Sequence, residues 1–300
     1  MRAPFGRLRV TTPLQRYNRA AERSAGVVIG HYSTSFGLAT RLLPAPTRTH
    51  IRNVYALVRL ADEIVDGVAA ESGLDRAEVA AALELLERQT EQALATGYST
   101  NLVVHAFGRT ARDVGIELDV VTPFFTSMRM DVHQTVHDDM SFATYVDGSA
   151  EVVGLMCLRA FLAAGPPTDP ATRARLESGA RRLGAAFQKV NFLRDLAADA
   201  HGLGRSYFPG VEAGALDEPT KHRLLDDIDA DLAAAATTLP LLPRGPRRAV
   251  ALAHGLFAEL SARLRRTPAT VLQASRVRVP DPVKVRLAAL AVADRLPRTR

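Results

Sequence analysis

Residues 55–67 read YALVRLADEIVDG, and polar side chains recur at helical spacing within this otherwise apolar stretch. The polar positions follow one another at steps of four, three and four, so an α-helix places them on one face. They are Tyr55, Arg59, Asp62 and Asp66. Two carboxylates one turn apart suit a hard cation such as Mg²⁺, which takes few protein carboxylates and completes its shell with phosphate oxygens. Glu63 is a candidate outer ligand; the alternative is an acidic pair that is solvated or bonded to an arginine.

A second set of oxygen-bearing side chains lies more than a hundred residues further along the chain, at steps of three, four and four. Its members are Gln188, Asn191, Asp195 and Asp199, with Arg194 on the adjoining face. We call Asp62 and Asp66 the first aspartate motif, and the carboxylates of this later set the second aspartate motif. A repeated pattern of this kind favours the metal interpretation over a solvated acidic pair.

Two aspartate motifs that face one cavity could hold several Mg²⁺ ions and clamp diphosphate groups while a carbon–oxygen bond breaks. The chemistry indicated is ionisation to an allylic cation, which an apolar cavity would shield from water. Phe36, Tyr55 and Tyr145 could stabilise that cation through their ring faces, although ordinary core packing explains each ring equally well.

The composition is that of an ordinary globular protein, with 47% hydrophobic and 23% charged residues among 300. Cys157 is the single cysteine, which excludes an internal disulfide and a thiolate metal cluster. No apolar run is long enough to span a bilayer and the N-terminus lacks a secretory signal, so we expect a cytoplasmic protein with at most peripheral membrane contact. The net charge of +6 either reflects arginine-rich composition or favours an anionic partner, but no nucleic-acid-binding pattern accompanies it.

Long segments with apolar residues at three- and four-residue spacing predict an all-α fold, because alternating strand patterns are scarce. One helix has end signals: Thr47 follows Pro46 as an N-cap candidate, and Gly67 lies just beyond the expected C-terminus. The predicted helices span residues 14–30, 35–43, 47–67, 74–96, 100–115, 120–133, 141–164, 170–200, 220–238, 244–266 and 282–296.

Neither an internal repeat nor a linker-like segment divides the chain, so we expect a single domain over residues 1–300, with flexible ends at 1–13 and 297–300. Residues 201–219 are rich in glycine and proline and are predicted to form a loop. Because the aspartate motifs lie in different halves of the sequence, a site that needs both would unite these halves.

The segments around both motifs extend this pattern. Residues 32–44 read YSTSFGLATRLLP, and residues 188–209 read QKVNFLRDLAADAHGLGRSYFP. Between them lie MRMD at 128–131 and YVDGSAEVVGLM at 145–156. In this order and spacing, the segments resemble the signatures of squalene and phytoene synthases over residues 25–285. The resemblance implies an all-α, isoprenoid-synthase-type bundle around a central cavity.

The same resemblance implies a Mg²⁺-dependent prenyltransferase, with Mn²⁺ as a substitute cation. The metal ligands that it implies are Asp62, Asp66, Asn191, Asp195 and Asp199. The implied contacts to diphosphate or to the rest of the substrate are Ser35, Phe36, Tyr55, Arg59, Gln188, Arg194, Arg205, Tyr207 and Arg276. Tyr145 would act in catalysis beside the four aspartates. For Arg276, a surface position in an arginine-rich protein is an equally good interpretation.

Two acidic residues depart from the family pattern, because Asp147 replaces the usual aromatic residue and Glu151 a glycine. A carboxylate there can pair with an arginine, accept a proton or face outward, and substrate identity depends on which. His133 and His137 lie one turn apart, but neither belongs to the family motifs, so we assign them no metal role.

Our hypothesis is the condensation of two geranylgeranyl diphosphates to phytoene through a cyclopropyl diphosphate intermediate. NADPH is not expected, since no dinucleotide-binding glycine fingerprint is evident. The small Thr40, one turn after Phe36, favours room for a long prenyl tail. The alternative within the family is a farnesyl diphosphate enzyme that makes squalene, presqualene diphosphate or hydroxysqualene. Alternatives of other classes are a non-catalytic assembly or binding factor and a terpene cyclase that acts on one substrate.

Overall fold

The structure, a computed structural model, describes residues 12–198, 205–211 and 215–293, without the side chains of residues 34, 35, 197 and 198. Helices make up almost all of its regular structure, and within these ranges the β pairing is limited to one bridge between Val136 and Ser206. The predicted all-α fold is therefore confirmed. In the described part of the chain, no helix is long and apolar enough to cross a membrane.

The helices follow one another with short connections, and a π-helical segment and a 3₁₀ turn interrupt the series. They are α1 (Pro13–Tyr32), α2 (Thr34–Thr40), α3 (Ala45–Val65), α4 (Val68–Glu71), α5 (Arg76–Thr96), α6 (Leu102–Val114), α7 (Leu118–His133), α8 (Asp139–Val146), the π segment (Asp147–Glu151), α9 (Val152–Leu162), α10 (Pro170–Ala198), α11 (Glu218–Ala236), the 3₁₀ turn (Leu239–Leu241), α12 (Arg244–Arg266), α13 (Ala269–Leu272) and α14 (Asp281–Val292).

The end signals of α3 were half correct. Gly67 lies just past the helix with a φ of 115°, a left-handed conformation that suits glycine and ends α3 at Asp66. Thr47 is not the N-cap, because α3 begins at Ala45 and Pro44 takes that place. A proline in the first turn loses no helical hydrogen bond, so Pro46 fits inside the helix instead of preceding it.

Other differences concern ends and short elements. The first helix starts at Pro13 with Thr12 as its cap. The rest of the ends expected to be flexible, residues 1–11 and 297–300, lies outside the described residues. The predicted loop is confirmed over residues 205–211, which contain no helix. The short helices α4 and α13 were not predicted, since four residues carry too little periodicity to detect.

The predicted helix 141–164 is divided by the π segment, which presses against α7. A Cβ on Gly148 would lie 2.1 Å from both the Pro123 carbonyl oxygen and the Ser127 hydroxyl, so a residue without a side chain is needed there. The Ser127 hydroxyl donates to the Tyr145 carbonyl at 3.1 Å. The π segment, whose turn is wider than that of an α-helix, therefore lies where the chain packs tightly against α7. π-Bulges of this kind occur frequently at functional sites.

Helix α10 crosses the π segment and α9 at very close range. A Cβ on Gly154 would lie 2.4 Å from the Ala180 carbonyl oxygen, and a Cβ on Gly184 would lie 2.3 Å from the Ala150 carbonyl oxygen. Two backbones meet at both points without intervening side chains. We call this contact the glycine crossing.

Two large apolar clusters hold the helices in place. The first packs α3, α5, α6, α7 and α9 around fully buried rings such as Phe107 and Phe124. The second packs α8, α10, α11 and α12 around residues such as Leu225 and Leu264. Burial of side chains of this size stabilises a fold by about 1.5–3 kcal/mol each before entropy is counted. A large cavity lies between the clusters, with α3 on one side and α10 on the other.

Candidate active site

The cavity has a volume of about 1180 Å³ and is lined by residues of α1, α2, α3, α7, α8, the π segment, α9, α10, α11, α12 and the segment before α14. Its lining is mostly apolar, with polar side chains from both aspartate motifs. The sequence-predicted site residues on this lining are Phe36, Tyr55, Arg59, Asp62, Asp66, Tyr145, Gln188, Asn191, Arg194, Asp195, Tyr207 and Arg276. The side chain of Ser35 and the whole of Asp199 lie outside what the structure describes.

The first aspartate motif lies at the C-terminal end of α3. Asp62 is in the last helical turn, and Asp66 is the residue at which the helix stops. Arg59 forms an ion pair with Glu63 and lies 4.4 Å from the ring centre of Tyr32. Glu63, a candidate outer ligand from the sequence, is thus engaged by an arginine one turn away.

Asp62 has an unusual electrostatic environment. Burial raises the pKa of its carboxyl to about 8, and the charges of Asp66 and Asp131 add to this effect while Arg59 opposes it. The carboxyl is enclosed on most sides by protein but still reaches the cavity. A site with this excess of negative potential favours a bound cation.

Arg205 does not line the cavity, although the sequence predicts a substrate contact for it. Its guanidinium is 7% exposed and donates to Asp66 Oδ1 at 2.8 Å, to the Val65 carbonyl at 2.8 Å and to the Asp131 carbonyl at 2.9 Å. Five donors in a planar fork suit several acceptors at once. The arginine therefore fixes the end of α3 and orients one oxygen of Asp66, leaving the other for the cavity.

Asp195, the described carboxylate of the second aspartate motif, lies on α10. Asp195 is held by two arginines: its neighbour Arg194 donates through Nε to Oδ1 at 2.9 Å, and Nε of Arg276 lies 2.7 Å from the same oxygen. Arg276 comes from the segment between α13 and α14, so this contact brings the C-terminal part of the chain to the cavity. Both guanidiniums could exchange a carboxylate for a diphosphate, which arginine binds in the same bidentate manner.

Asp131 on α7 is a site residue that the sequence analysis did not single out. Its carboxylate lines the cavity, is 7% exposed, and accepts from the Tyr145 hydroxyl at 2.7 Å and the Tyr207 hydroxyl at 3.2 Å. Burial raises the pKa of Asp131 to about 6, while Arg205 and both hydroxyls oppose the rise. The available signal was its position one turn after Met128 on the buried face of α7, where an apolar residue is the norm.

Aromatic rings line the cavity near both motifs. Phe36 and Tyr55 stack with their ring centres 5.5 Å apart, and Phe192 stacks on Tyr207 at 4.0 Å. Tyr145 lies 5.2 Å from Tyr207. Such faces carry negative charge density that attracts cations.

The remaining sequence candidates lie away from the cavity. Asp147 and Glu151 both pair with Arg181 on α10, at a partly exposed position outside the lining. Of the three options for these carboxylates, an arginine pair is therefore what the structure contains. His137 is buried and stacks on Tyr207 at 5.8 Å, and its Nδ1 has no hydrogen-bond partner among the described residues.

The donor set fits a hard divalent cation. Asn191 Oδ1 is buried, belongs to a residue on the cavity wall and has no hydrogen-bond partner among the described residues. Asp62 and Asp66 on one side, and Asn191 and Asp195 on the other, would hold the metal. No three His, Cys, Asp or Glu side chains within 12–198, 205–211 and 215–293 lie close enough to bind a metal alone, so phosphate oxygens would complete the shell.

Comparison with known proteins places this geometry in context. The chain is 29% identical to a phytoene synthase of Mycobacterium tuberculosis over 280 residues, covering 87% of this chain and 86% of that protein. It is 28% identical to a presqualene diphosphate synthase of Rhodopseudomonas palustris over 261 residues, covering 84% and 81%.

Solved structures agree on the fold. A dehydrosqualene synthase in complex with ligand superimposes with a TM-score of 0.77 at 22% identity, covering 94% of this chain and 99% of that one. The squalene synthase HpnC from Alicyclobacillus acidocaldarius gives a TM-score of 0.70 at 20% identity, covering 85% and 96%. The squalene/phytoene synthase family profile matches residues 29–282. The chain thus belongs to the squalene/phytoene synthase family and is a prenyltransferase of that type.

Proposed function

We propose that this enzyme joins two molecules of geranylgeranyl diphosphate head to head to form phytoene. The observation that carries the proposal is that Asp62 and Asp66 on α3 and Asp195 on α10 lie on the wall of a single cavity whose other lining is mainly apolar. Such a chamber can bind charged headgroups at one end and prenyl tails in the rest. Burial of the tails would supply most of the binding free energy.

In this proposal the diphosphates bind between the two motifs. Arg194 and Arg276 would release Asp195 and donate to phosphate oxygens, with Gln188 and Arg59 beside them. Mg²⁺, when bound, would neutralise the charge that builds up on each diphosphate as it leaves. The phenyl and phenol rings would face the organic cation, and the apolar walls would exclude water from it.

The reaction has two halves. In the first, the allylic carbon–oxygen bond of one substrate breaks, diphosphate leaves, and the double bond of the second substrate attacks the cation; loss of one proton closes a cyclopropane that still carries the second diphosphate. In the second, that diphosphate leaves and the cyclopropylcarbinyl cation rearranges. Loss of another proton then gives phytoene, so no reductant is consumed.

We favour geranylgeranyl diphosphate over farnesyl diphosphate as the substrate because the cavity is large. Its volume of about 1180 Å³ exceeds the ~300–1,000 Å³ of typical small-ligand sites. Thr40 lies on the wall, is 3% exposed and folds its hydroxyl back onto the Gly37 carbonyl at 2.8 Å, so it presents a small surface. The relatives named above include both phytoene and presqualene diphosphate synthases at similar identity, so farnesyl diphosphate is the second candidate.

The test is incubation of the purified protein with Mg²⁺ and either farnesyl or geranylgeranyl diphosphate, with and without NADPH, followed by mass spectrometry of the organic extract. We expect a C40 hydrocarbon from the C20 substrate without NADPH. A C30 product formed from farnesyl diphosphate, with no product from geranylgeranyl diphosphate, would favour the squalene-type alternative over phytoene synthesis. A cyclic C15 or C20 product would indicate a terpene cyclase. Absence of both turnover and prenyl diphosphate binding would indicate a non-catalytic family member that serves as an assembly factor or binds another partner.

Two variants control the assay. Asp62→Asn keeps the size of the side chain but removes a carboxylate on the cavity wall, and should lower turnover by about a hundredfold or more. Asp147→Asn removes a carboxylate of the partly exposed Arg181 pair outside the lining, and should leave turnover unchanged. Equal activity in both variants would contradict the assignment of the first aspartate motif.

A further inference from the structure

A hydrogen-bonded group joins α7, α8 and the segment after α10 beneath the first aspartate motif. Asp131 is at its centre: Oδ2 accepts from the Tyr145 hydroxyl at 2.7 Å, and Oδ1 accepts from the Tyr207 hydroxyl at 3.2 Å. Arg205 Nη1 lies 3.6 Å from Oδ1 and 3.2 Å from the Tyr207 hydroxyl. We call these four residues the Asp131 network.

The network is costly as a purely structural device. A carboxylate on a residue that is 7% exposed loses most of its hydration, and Arg205, which pairs with it, is shared with Asp66. An apolar side chain of similar volume at such a position is often neutral or stabilising for a fold. A charge retained here therefore points to a role that packing alone does not require.

The two phenols lie where the second apolar cluster meets the cavity. Tyr145 and Tyr207 both line it, with ring centres 5.2 Å apart, and Phe192 on the same wall stacks on Tyr207 at 4.0 Å. Each phenol has a single O–H, and both donate it to Asp131. The Tyr145 oxygen consequently keeps its lone pairs for whatever fills the cavity, whereas the Tyr207 oxygen also accepts from Arg205 Nη1 at 3.2 Å and its ring lies against Phe192 and His137.

Hydrogen bonding to an anion changes what a phenol can do. The donated proton shifts toward the carboxylate, so electron density rises on the phenol oxygen and ring, and the ring attracts a cation more strongly. A low local dielectric and fixed orientation strengthen such an interaction, because no reorganisation is needed when positive charge appears.

We propose that Asp131 is a positioning residue that fixes and polarises Tyr145 and Tyr207 toward the carbocations formed when diphosphate leaves. The inference rests on the proposed prenyl diphosphate condensation and adds to it a residue that stabilises reactive intermediates without touching the leaving group. It predicts a loss in catalytic steps that pass through cations, while substrate binding through the two aspartate motifs is kept.

The primary test compares wild type with Asp131→Asn in steady-state assays on the substrate that the wild type condenses. Asparagine keeps the shape but carries no charge, and its single amide oxygen can accept from only one of the two hydroxyls in their present positions. We expect kcat to fall about ten- to a hundredfold with KM within about twofold. The share of turnover that ends as released cyclopropyl diphosphate, measured by mass spectrometry, should rise, which a general loss of stability would not cause.

Conservative and partner variants complete the test. Asp131→Glu should recover part of kcat because it restores the charge, and Tyr207→Phe should shift the product ratio in the same direction as Asp131→Asn. Combining Tyr207→Phe with Asp131→Asn should lower kcat by less than the product of the single effects, since both act through one hydrogen bond. Thermal melting of each variant identifies the folded ones, and Tyr207→Phe carries the test alone if Asp131→Asn does not fold.

The outcomes separate the two proposals. If the wild type condenses prenyl diphosphates but a folded Asp131→Asn or Tyr207→Phe keeps kcat within about twofold and the same product ratio, the role of Asp131 is refuted while the function stands. If KM rises and kcat does not change, Asp131 serves binding and the inference is also refuted. If the wild type yields no condensation product, the proposed function fails first and this inference fails with it.

Discussion

Asp62 gives the sharpest quantitative prediction, because its carboxyl titrates far from the usual range. Its pKa is raised from 3.8 to about 8, chiefly by burial and also by Asp66 and Asp131. The unfolded chain releases this proton near the ordinary value, so between about pH 4 and pH 8 the folded protein binds more protons than the unfolded one. The free energy of unfolding of the metal-free protein should therefore fall as the pH rises through this window.

The size of the effect follows from the shift. Each pH unit in which only the folded state is protonated lowers the free energy of unfolding by about 1.4 kcal/mol, so the interval from pH 6 to pH 8 sets an upper bound of about 2–3 kcal/mol. Asp62 faces a cavity that admits water, which screens the charge and reduces the expected loss to about 1 kcal/mol. For a chain of this length that corresponds to a fall of about 2 °C or slightly less in melting temperature.

The assay is calorimetry or circular dichroism melting of wild type and Asp62→Asn in chelator-treated buffer from pH 6 to pH 8. The variant carries no ionisable group at this position, so the wild-type minus variant difference isolates Asp62 from every other titrating group. Mg²⁺ added at pH 8 should recover more stability in wild type than in the variant, because a cation replaces the proton. Parallel curves for the two proteins over this interval would refute the argument.

Three further outcomes are expected. Lys221→Met should lower the free energy of urea unfolding by about 2–3 kcal/mol, since the buried ammonium donates to the Thr267 carbonyl at 2.7 Å; a change below the error of the fit would contradict this. Arg276→Gln should raise KM for the prenyl diphosphate about tenfold and leave melting nearly unchanged, because its pair with Asp195 is half exposed; an unaltered KM would exclude a substrate contact. Asp147→Asn should cost less than about 1 kcal/mol in urea unfolding, and a larger loss would mean that its partly exposed pair matters more than its exposure suggests.

The helical fold was largely predictable, and the exceptions have physical causes. Apolar spacing and the Pro and Gly breakers located the long helices, because amphipathic periodicity is a local property of the sequence. The start of α3 was missed, since Thr47 and Pro44 are both acceptable just before a helix and only the structure decides between them. The π segment depends on Gly148 meeting α7, a contact between segments about twenty residues apart that no local pattern encodes.

The candidate site divides in the same way. Residues of the two aspartate motifs were visible because polar side chains interrupt an apolar helix face at regular steps. Asp131 was quoted only as the last residue of MRMD and received no role, because folding brings the hydroxyls of Tyr145 and Tyr207 to it. The partner of Arg205 likewise depends on folding, which brings it to Asp66, 139 residues away in the sequence.

The glycine crossing has a consequence for how product length can change in this scaffold. At Gly154 and Gly184 the opposing carbonyl oxygens leave no space for even a methyl group, so this side of the chamber cannot be reshaped by substitution without separating two helices. Adaptation toward shorter or longer hydrocarbons is then easier at other positions of the lining, where α2 and α12 contribute replaceable side chains such as Thr40 and Leu256. A library designed to alter chain length should vary those positions and keep both glycines constant.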